Sequence, residues 1–339
     1  MSQIYNEIDQ EQIIQFFAGY HATRAISLGI SIGLFEELNK HEGGIYCEQL
    51  ASRLNLSPKP LEELCALSCK LGLIANDNGK LKISPKTSQI ISEIGGHAAY
   101  CMATAQEFRE YEKVLRTGQP MNVESRNDSY IHAISLALKR TYDFLAKNIL
   151  PQAEGTYQKL CHGASCLEIG CGEGYCISNL AKIYPKSIFT GVDIEEKAVR
   201  KARELIKNEK MNARVSFTLE LDTALEDSFV FIYTMSSLHE FKDPVKVLEK
   251  YKRYLRKDGT LIVADFIKPL SDGALSTPLE KVVHGLFFDE VMQGTPYLDE
   301  KQILRVIEDA GYCNITRINT TPLAYIAAYS CNRGETNGR

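Results

Sequence analysis

Between Cys166 and Cys176 the chain reads CLEIGCGEGYC, with Gly170, Gly172 and Gly174 on alternate positions directly after a short apolar run. Glycine-rich turns between a strand and a helix commonly wrap backbone N–H groups around phosphate oxygens. This one lacks the Gly-Lys-Ser/Thr ending of a P-loop, and Tyr175 stands where a dinucleotide fingerprint has its last glycine. Glu168 and Glu173 flank the turn with no Lys or Arg inside it, which repels a pyrophosphate and attracts a positively charged ligand. Asp193 ends the next apolar run, IFTGVD, 23 residues after Gly170, where a carboxylate can accept hydrogen bonds from ribose hydroxyls. Capping of the helix that follows, DIEEKAVRKARELIKNEK, is the competing explanation for Asp193. Taken together, the turn and its acids describe a pocket for an adenosine with a cationic tail, a description that S-adenosylmethionine fits.

These residues need a scaffold. From Cys166 onward the segments CLEI, IFTGVD, VSFTLEL, FVFIYTM and GTLIVADF read as strands, alternating with helices at 175–183, 195–210 and 244–255. That alternation predicts a doubly wound, largely parallel α/β sheet of Rossmann-like type. Ligands of such sheets bind beyond the carboxyl ends of the strands at the topological switch point, where the glycine turn falls. Upstream, apolar residues from Ile13 to Leu38 recur at helical intervals. Residues 47–91 then read as helix, turn, helix and a two-stranded ribbon turning at Asn78-Gly79, a winged-helix pattern. Its second helix carries Glu62 and Glu63 and few cations, which favours a packing or dimer module over a DNA reader or a regulator sensing S-adenosylmethionine. The expected organisation is a dimerisation domain over 1–99, linker helices covering the pocket over 100–155, a catalytic domain over 156–330 and a flexible tail over 331–339.

With 44% apolar residues in 339, each of two domains has material for an ordinary core. The 39 Lys plus Arg against 43 Asp plus Glu give a net charge of −4, with no basic run, so nucleic acid is not an expected partner. The start, MSQIYNEIDQEQ, has no basic segment followed by an apolar stretch, and no apolar run approaches the roughly 20 residues that span a bilayer. A soluble cytoplasmic protein is expected, without membrane association. Cys161, Cys166, Cys171 and Cys176 recur every five residues, but on a loop, a strand, the turn and a helix they would face different ways. They are expected to be buried thiols in a reducing compartment rather than a metal site.

The segments LEIGCGEG, the Asp193 strand end and MSSLHEFKDPVKVLEKYKRYLRKDGTLIVADFIKP closely resemble the class I S-adenosylmethionine-dependent small-molecule O-methyltransferases, the group of caffeic acid, hydroxyindole and antibiotic-tailoring enzymes. LGISIGLFEEL, KLGLIANDNGKLKIS, VLRTGQP and LEKVVHGLFFDEVMQGTPYLDEKQILRVIEDAGY follow in the order this group has, so the resemblance spans nearly the whole chain. It implies a seven-stranded catalytic domain behind a mainly α winged-helix dimerisation domain that also closes the partner's pocket, and hence a homodimer. It further implies methyl transfer to a hydroxyl of a small aromatic or polyketide-like metabolite. Cofactor-binding residues are then Glu168, Gly170, Gly172, Gly174, Asp193 and Met235. His239, in LHEF, falls in the group's catalytic-base position, with Asp265 as the acid set against it and Glu240 assisting or capping the helix at Pro244.

The chain departs from that group in two places. Phe241 replaces the usual tryptophan, and the stretch where some relatives set a second acid beside the histidine reads GTPYLDE here, with Tyr297 close to the expected place. C- or N-methylation and a non-methylating cyclase on the same scaffold are the alternatives. Met235, His239 and His284 also allow a metal reading, but His284 sits in PLEKVVHGLFFDEVM, where Leu279, Val282, Val283, Leu286 and Phe287 predict a packed apolar face. No metal is assigned.

Overall fold

The structure is a computed structural model and describes residues 8–121, 128–268, 277–321, 323 and 325–334. The chain forms two compact units: residues up to Phe108 with Ser129–Arg140, and Arg109–Asp128 with the chain from Thr141 onward. The stretch 100–155, expected as one linking layer, is therefore shared between them.

The first unit begins with the helix Gln10–Ser31, opened by a capping box in which Asp9 and Gln12 exchange side-chain-to-backbone hydrogen bonds. Helices Leu34–Asn39, Cys47–Leu54 and Pro58–Lys70 follow. A small sheet of β1 (Ile45–Tyr46), β2 (Ala75–Asp77) and β3 (Lys80–Lys82) runs in the order β1-β3-β2. The β2–β3 hairpin turns at Asn78 (φ 52°) and Gly79 (φ 85°), the paired positive φ of a type I′ turn. Leu34, Phe35, Leu38, Leu50, Leu61 and Leu81 form the core. By contrast, Ile13, Ile14, Phe16, Phe17 and Tyr20 on the first helix are 39–62% exposed.

The second unit is built on a seven-stranded sheet in the order β6-β5-β4-β7-β8-β10-β9. Its strands are β4 (Ser165–Ile169), β5 (Ile188–Val192), β6 (Val215–Thr218), β7 (Phe229–Met235), β8 (Leu255–Phe266), β9 (Tyr312–Ile318) and β10 (Ile326–Arg333). β4 to β8 are parallel, and β10 lies antiparallel between β8 and β9. The five parallel strands are those legible in the sequence, because a strand covered on both faces reads as an unbroken apolar run. β9 is an edge strand with mixed exposure and no such run. β8 starts at Leu255, four residues before the expected GTLIVADF, after a helix that already ends at Lys252. β10 continues through Arg333, so residues 331–333 belong to the sheet rather than to a tail; residues 335–339 lie outside the described residues. Among the described residues no helix is long and apolar enough to cross a membrane.

The order reverses beside β4: the chain moves outward through β5 and β6, then returns to place β7 on the other side. The glycine turn lies at this switch point. Gly170, Gly172 and Gly174 have φ of 74°, 50° and 80°, a left-handed region that other residues enter at a cost. Their roles differ. A Cβ on Gly174 would come 2.5 Å from the Phe217 ring, and one on Gly170 would come 2.8 Å from the Ser237 side chain. At Gly172 it would meet nothing within 4 Å. Gly174 is thus required for packing of the turn against β6, and Gly172 for an open approach to its backbone. Gly174→Ala is expected to destabilise the protein by about 2–5 kcal/mol, strain and overpacking together, whereas Gly172→Ala should cost only about 1–2 kcal/mol. Thermal melts of the two variants check this, and equal melting temperatures would contradict the packing role.

Candidate active site

At the carboxyl end of β5, Asp193 accepts two backbone hydrogen bonds, from Gly172 N–H (2.8 Å) and from Glu195 N–H (2.9 Å). It therefore clamps the glycine turn to the start of the next loop. It is not the helix cap: the helix Glu196–Asn208 is capped by Glu195, whose side chain accepts from Lys197 N–H. Burial raises the Asp193 carboxyl, and the two backbone donors oppose that rise. The neighbouring Ile194 is 95% exposed, an apolar side chain held in the open beside the turn.

Glu168 is nearly inaccessible in β4, accepting a hydrogen bond from the Tyr233 hydroxyl (3.2 Å). Burial pushes its carboxyl up to about 8, partly offset by hydrogen bonds from Cys176 and Tyr233 and reinforced by the Asp193 charge. Glu173, read from the sequence as a second attractor for a cation, is instead buried in an ion pair with Lys201 at 2.9 Å. Asp193 is then the carboxylate bonded directly to the turn, while Glu168 stays largely protonated near neutral pH. Of the four evenly spaced cysteines, Cys166, Cys171 and Cys176 are buried, while Cys161 is exposed on the helix Glu154–His162; all are free thiols.

β7 ends at the buried Met235. Ser236 follows at φ 57°, and Ser237 donates from its hydroxyl to the Gly170 carbonyl (3.1 Å), tying this strand end to the glycine turn. A single 3-10 turn, Leu238–Glu240, then presents His239. Asp265, buried near the end of β8, accepts from the His239 backbone N–H through Oδ2 (2.9 Å) and pairs with the ring Nδ1 through Oδ1 (2.8 Å). One carboxylate thus sets both the position and the rotation of the imidazole, leaving Nε2 for chemistry. Burial opposes protonation of the ring, but Asp265, Glu290 and Glu240 outweigh it and raise the imidazole to about 9.

Glu290 was not legible as a site residue. Its Oε2 lies 3.9 Å from His239 Nε2 and accepts from the Thr295 hydroxyl (2.6 Å). Glu290 comes from inside the helix Pro278–Gln293, while in the following turn Tyr297 packs its ring edge-on to the imidazole (4.9 Å, 89°). The signal available was the acidic pair Asp289-Glu290 interrupting an otherwise apolar helix. The packed face expected of that helix is partly formed: Val283 is buried and Leu286 and Phe287 are half-buried, while Leu279 and Val282 stay exposed.

Glu240 caps no helix, since Asp243 caps Pro244–Lys252. Its carboxylate lies within 4.8 Å of the His239 ring and of the Glu290 carboxylate, and its charge raises both His239 and Asp193. Among the described residues, the side chains whose ligating atoms converge within 4.8 Å are His239, Glu240 and Glu290; His284 is not in that group.

Residues 161–311 match the protein family described as "Methyltransferase domain". The 27-O-demethylrifamycin SV methyltransferase of Amycolatopsis mediterranei is 31% identical over 125 residues, 35% of this chain and 45% of that protein. Malonyl-(acyl-carrier protein) O-methyltransferase of Bacillus cereus is 31% identical over 102 residues, 30% of this chain and 36% of that protein. The chain spans less than half the length of these two relatives. In fold, it is similar to human N-acetylserotonin methyltransferase in complex with S-adenosylmethionine, with a TM-score of 0.69 and 16% identity over 98% of this chain and 100% of that one. Mitomycin 7-O-methyltransferase aligns with a TM-score of 0.64 and 16% identity over 96% and 98%. The shared architecture extends to the helical unit that precedes the sheet. Residues 161–311 thus match a methyltransferase domain, on a fold similar to that of a methyltransferase solved with S-adenosylmethionine.

Proposed function

We propose that this protein is a homodimeric O-methyltransferase that transfers the methyl group of S-adenosylmethionine to a hydroxyl of a small aromatic or polyketide-like metabolite, with His239 as general base. The observation that carries this reading is the imidazole fixed through Nδ1 on Asp265, close to the end of the strand–turn system that suits the cofactor. The residues fit S-adenosylmethionine: the backbone at Gly172 is open, Asp193 is half-buried beside it, and Glu168, raised to about 8, gains its negative charge most readily when a cation approaches. In this reading Asp193 accepts from the ribose hydroxyls, the Gly170–Gly174 turn and Met235 line the cofactor, and Glu168 favours its cationic end. When bound, the cofactor supplies an electrophilic methyl group on a sulfonium.

The chain's own contribution is the acceptor's proton. A neutral hydroxyl is a poor nucleophile, and Nε2 takes its proton as Nδ1–H stays on Asp265. Glu290 beside Nε2 stabilises the imidazolium formed. With the ring raised to about 9, the basic form grows as pH rises through about 9, above the range of a free imidazole. A cation held by Glu168 and Asp193 would move that value down. The sign for stability is the reverse: the imidazolium–carboxylate pair contributes fully below the free value near 6.5, and its contribution fades as pH rises through about 9.

Four measurements test this reading. Asp193→Ala should weaken S-adenosylmethionine binding by roughly one to two orders of magnitude in a folded protein, and calorimetry giving unchanged affinity would remove the ribose role. His239→Gln should keep cofactor affinity and lower turnover about 10²- to 10⁴-fold. The wild-type rate should rise through an apparent pKa that Asp265→Asn shifts downward, since loss of the carboxylate disfavours imidazolium; a pH-independent rate contradicts the base. The exposed Phe16, Phe17 and Tyr20 support the dimer. Light scattering should give twice the chain mass for wild type and a monomer for Phe17→Asp.

A further inference from the structure

The surroundings of Glu168 do not support a charge on it. Its side chain is 2% exposed, and both of its donors are neutral: the Tyr233 hydroxyl of β7 at 3.2 Å and the Cys176 thiol of the helix Tyr175–Ile183. The other group that acts on it is Asp193, after β5, a carboxylate of the same sign. Glu168 in turn acts on Cys171 in the glycine turn and on Tyr142 in the helix Lys139–Phe144, two acids that burial keeps neutral near pH 7. Among the described residues no Lys, Arg or His acts on Glu168, and Lys201 is taken by Glu173. Asp193 and Asp265 differ from it: the first has two backbone N–H donors, the second a backbone N–H and an imidazole. A buried carboxyl with neutral donors and an anionic neighbour is a carboxylic acid, and its rise to about 8 has that cause. Glu168 also stands two residues before Gly170, so the charge of a ligand on the turn reaches it with little water to screen the field.

We propose that Glu168 is a proton switch worked by the cofactor: a carboxylic acid in the free protein, it gives its proton to solvent when a ligand bearing an ammonium group occupies the glycine turn, and the carboxylate so formed favours that ammonium. This rests on the methyltransferase reading and adds to it a coupling between cofactor affinity and pH. Below the range in which Glu168 ionises by itself, binding has to drive the proton off, so affinity rises with pH by up to about 10-fold per unit and levels above about 8. The same switch discriminates by charge. A neutral nucleoside shares the base and ribose of the cofactor but gives Glu168 no reason to ionise. His239 is the other raised group from which an approaching cation would drive a proton, and a variant separates the two.

Calorimetry in buffers of different ionisation enthalpy counts the protons released as S-adenosylhomocysteine or adenosine binds. Near pH 7, S-adenosylhomocysteine should release about 0.5 to 1 proton per site and adenosine about none. Glu168→Gln, an uncharged isostere of the acid form, should bind S-adenosylhomocysteine about 5- to 50-fold more weakly and release at most about 0.2 proton. His239→Gln should keep the release. Tyr233→Phe removes a donor that favours the carboxylate, so the pH at which affinity levels should move upward; a Glu168 that only packs moves neither the proton count nor this pH. No buffer dependence, equal release with adenosine, a release that survives Glu168→Gln, or one abolished by His239→Gln overturns the proposal. Should Glu168→Gln bind too weakly to titrate, Tyr233→Phe decides: an upward shift supports the switch, and an unmoved profile overturns it. Wild-type protein that binds no S-adenosylhomocysteine at any pH would sink the methyltransferase reading itself, whereas binding without proton release sinks only this proposal.

Discussion

Three carboxylates at or near the carboxyl ends of the parallel strands are the constraint on which the second unit depends. Glu168 in β4 and Asp265 in β8 are withdrawn from water, Asp193 just after β5 is half-buried, and a buried charge is costly unless something replaces its hydration. The protein meets this in three ways. Asp193 takes two backbone N–H donors, Asp265 takes a backbone N–H and an imidazole, and Glu168 has the Tyr233 hydroxyl and the Cys176 thiol. The weakest set of donors belongs to Glu168, and its carboxyl is the one pushed up to about 8. A cationic ligand relieves that strain most directly at Glu168.

The same carboxylates organise the loops around them. Asp193 joins the glycine turn to the loop after β5, and Ser237 joins the end of β7 to the same turn. Asp265 orients the single turn that carries His239. Three chain crossings of the switch point are therefore linked by side-chain-to-backbone hydrogen bonds, which hold catalytic groups more firmly than packing of mobile loops would. The glycines complement this: Gly170 and Gly174 let the turn close onto Ser237 and Phe217, and Gly172 leaves it open where a ligand approaches.

How far the site was legible follows from locality. The glycine turn and Asp193 lie on consecutive β–α connections, where spacing along the chain fixes position in space, and the parallel strands declare themselves by continuous apolar runs. His239 and Asp265 became candidates through resemblance to a family, because nothing in LHEF or VADF alone distinguishes a base and its acid from ordinary polar residues. Glu290 escaped, since it comes from a helix far away in sequence. Glu173 was misjudged for the same reason: its partner, Lys201, lies 28 residues further along the chain.

The sequence by itself determined the class of sheet, the ribbon turn at Asn78-Gly79, the shape of the glycine loop and its sign of charge. Each depends on φ preferences, periodicity or charges within a few residues of one another. Only the tertiary structure decided that β9 and β10 complete the sheet and that Glu195, not Asp193, caps the helix. It also decided that Glu173 is paired with Lys201 while Glu240, Asp265 and Glu290 converge on one imidazole. Burial and Coulomb interaction depend on distance through space, so the acidity of His239 could be set only once strands and helices from opposite ends of the domain had packed around it.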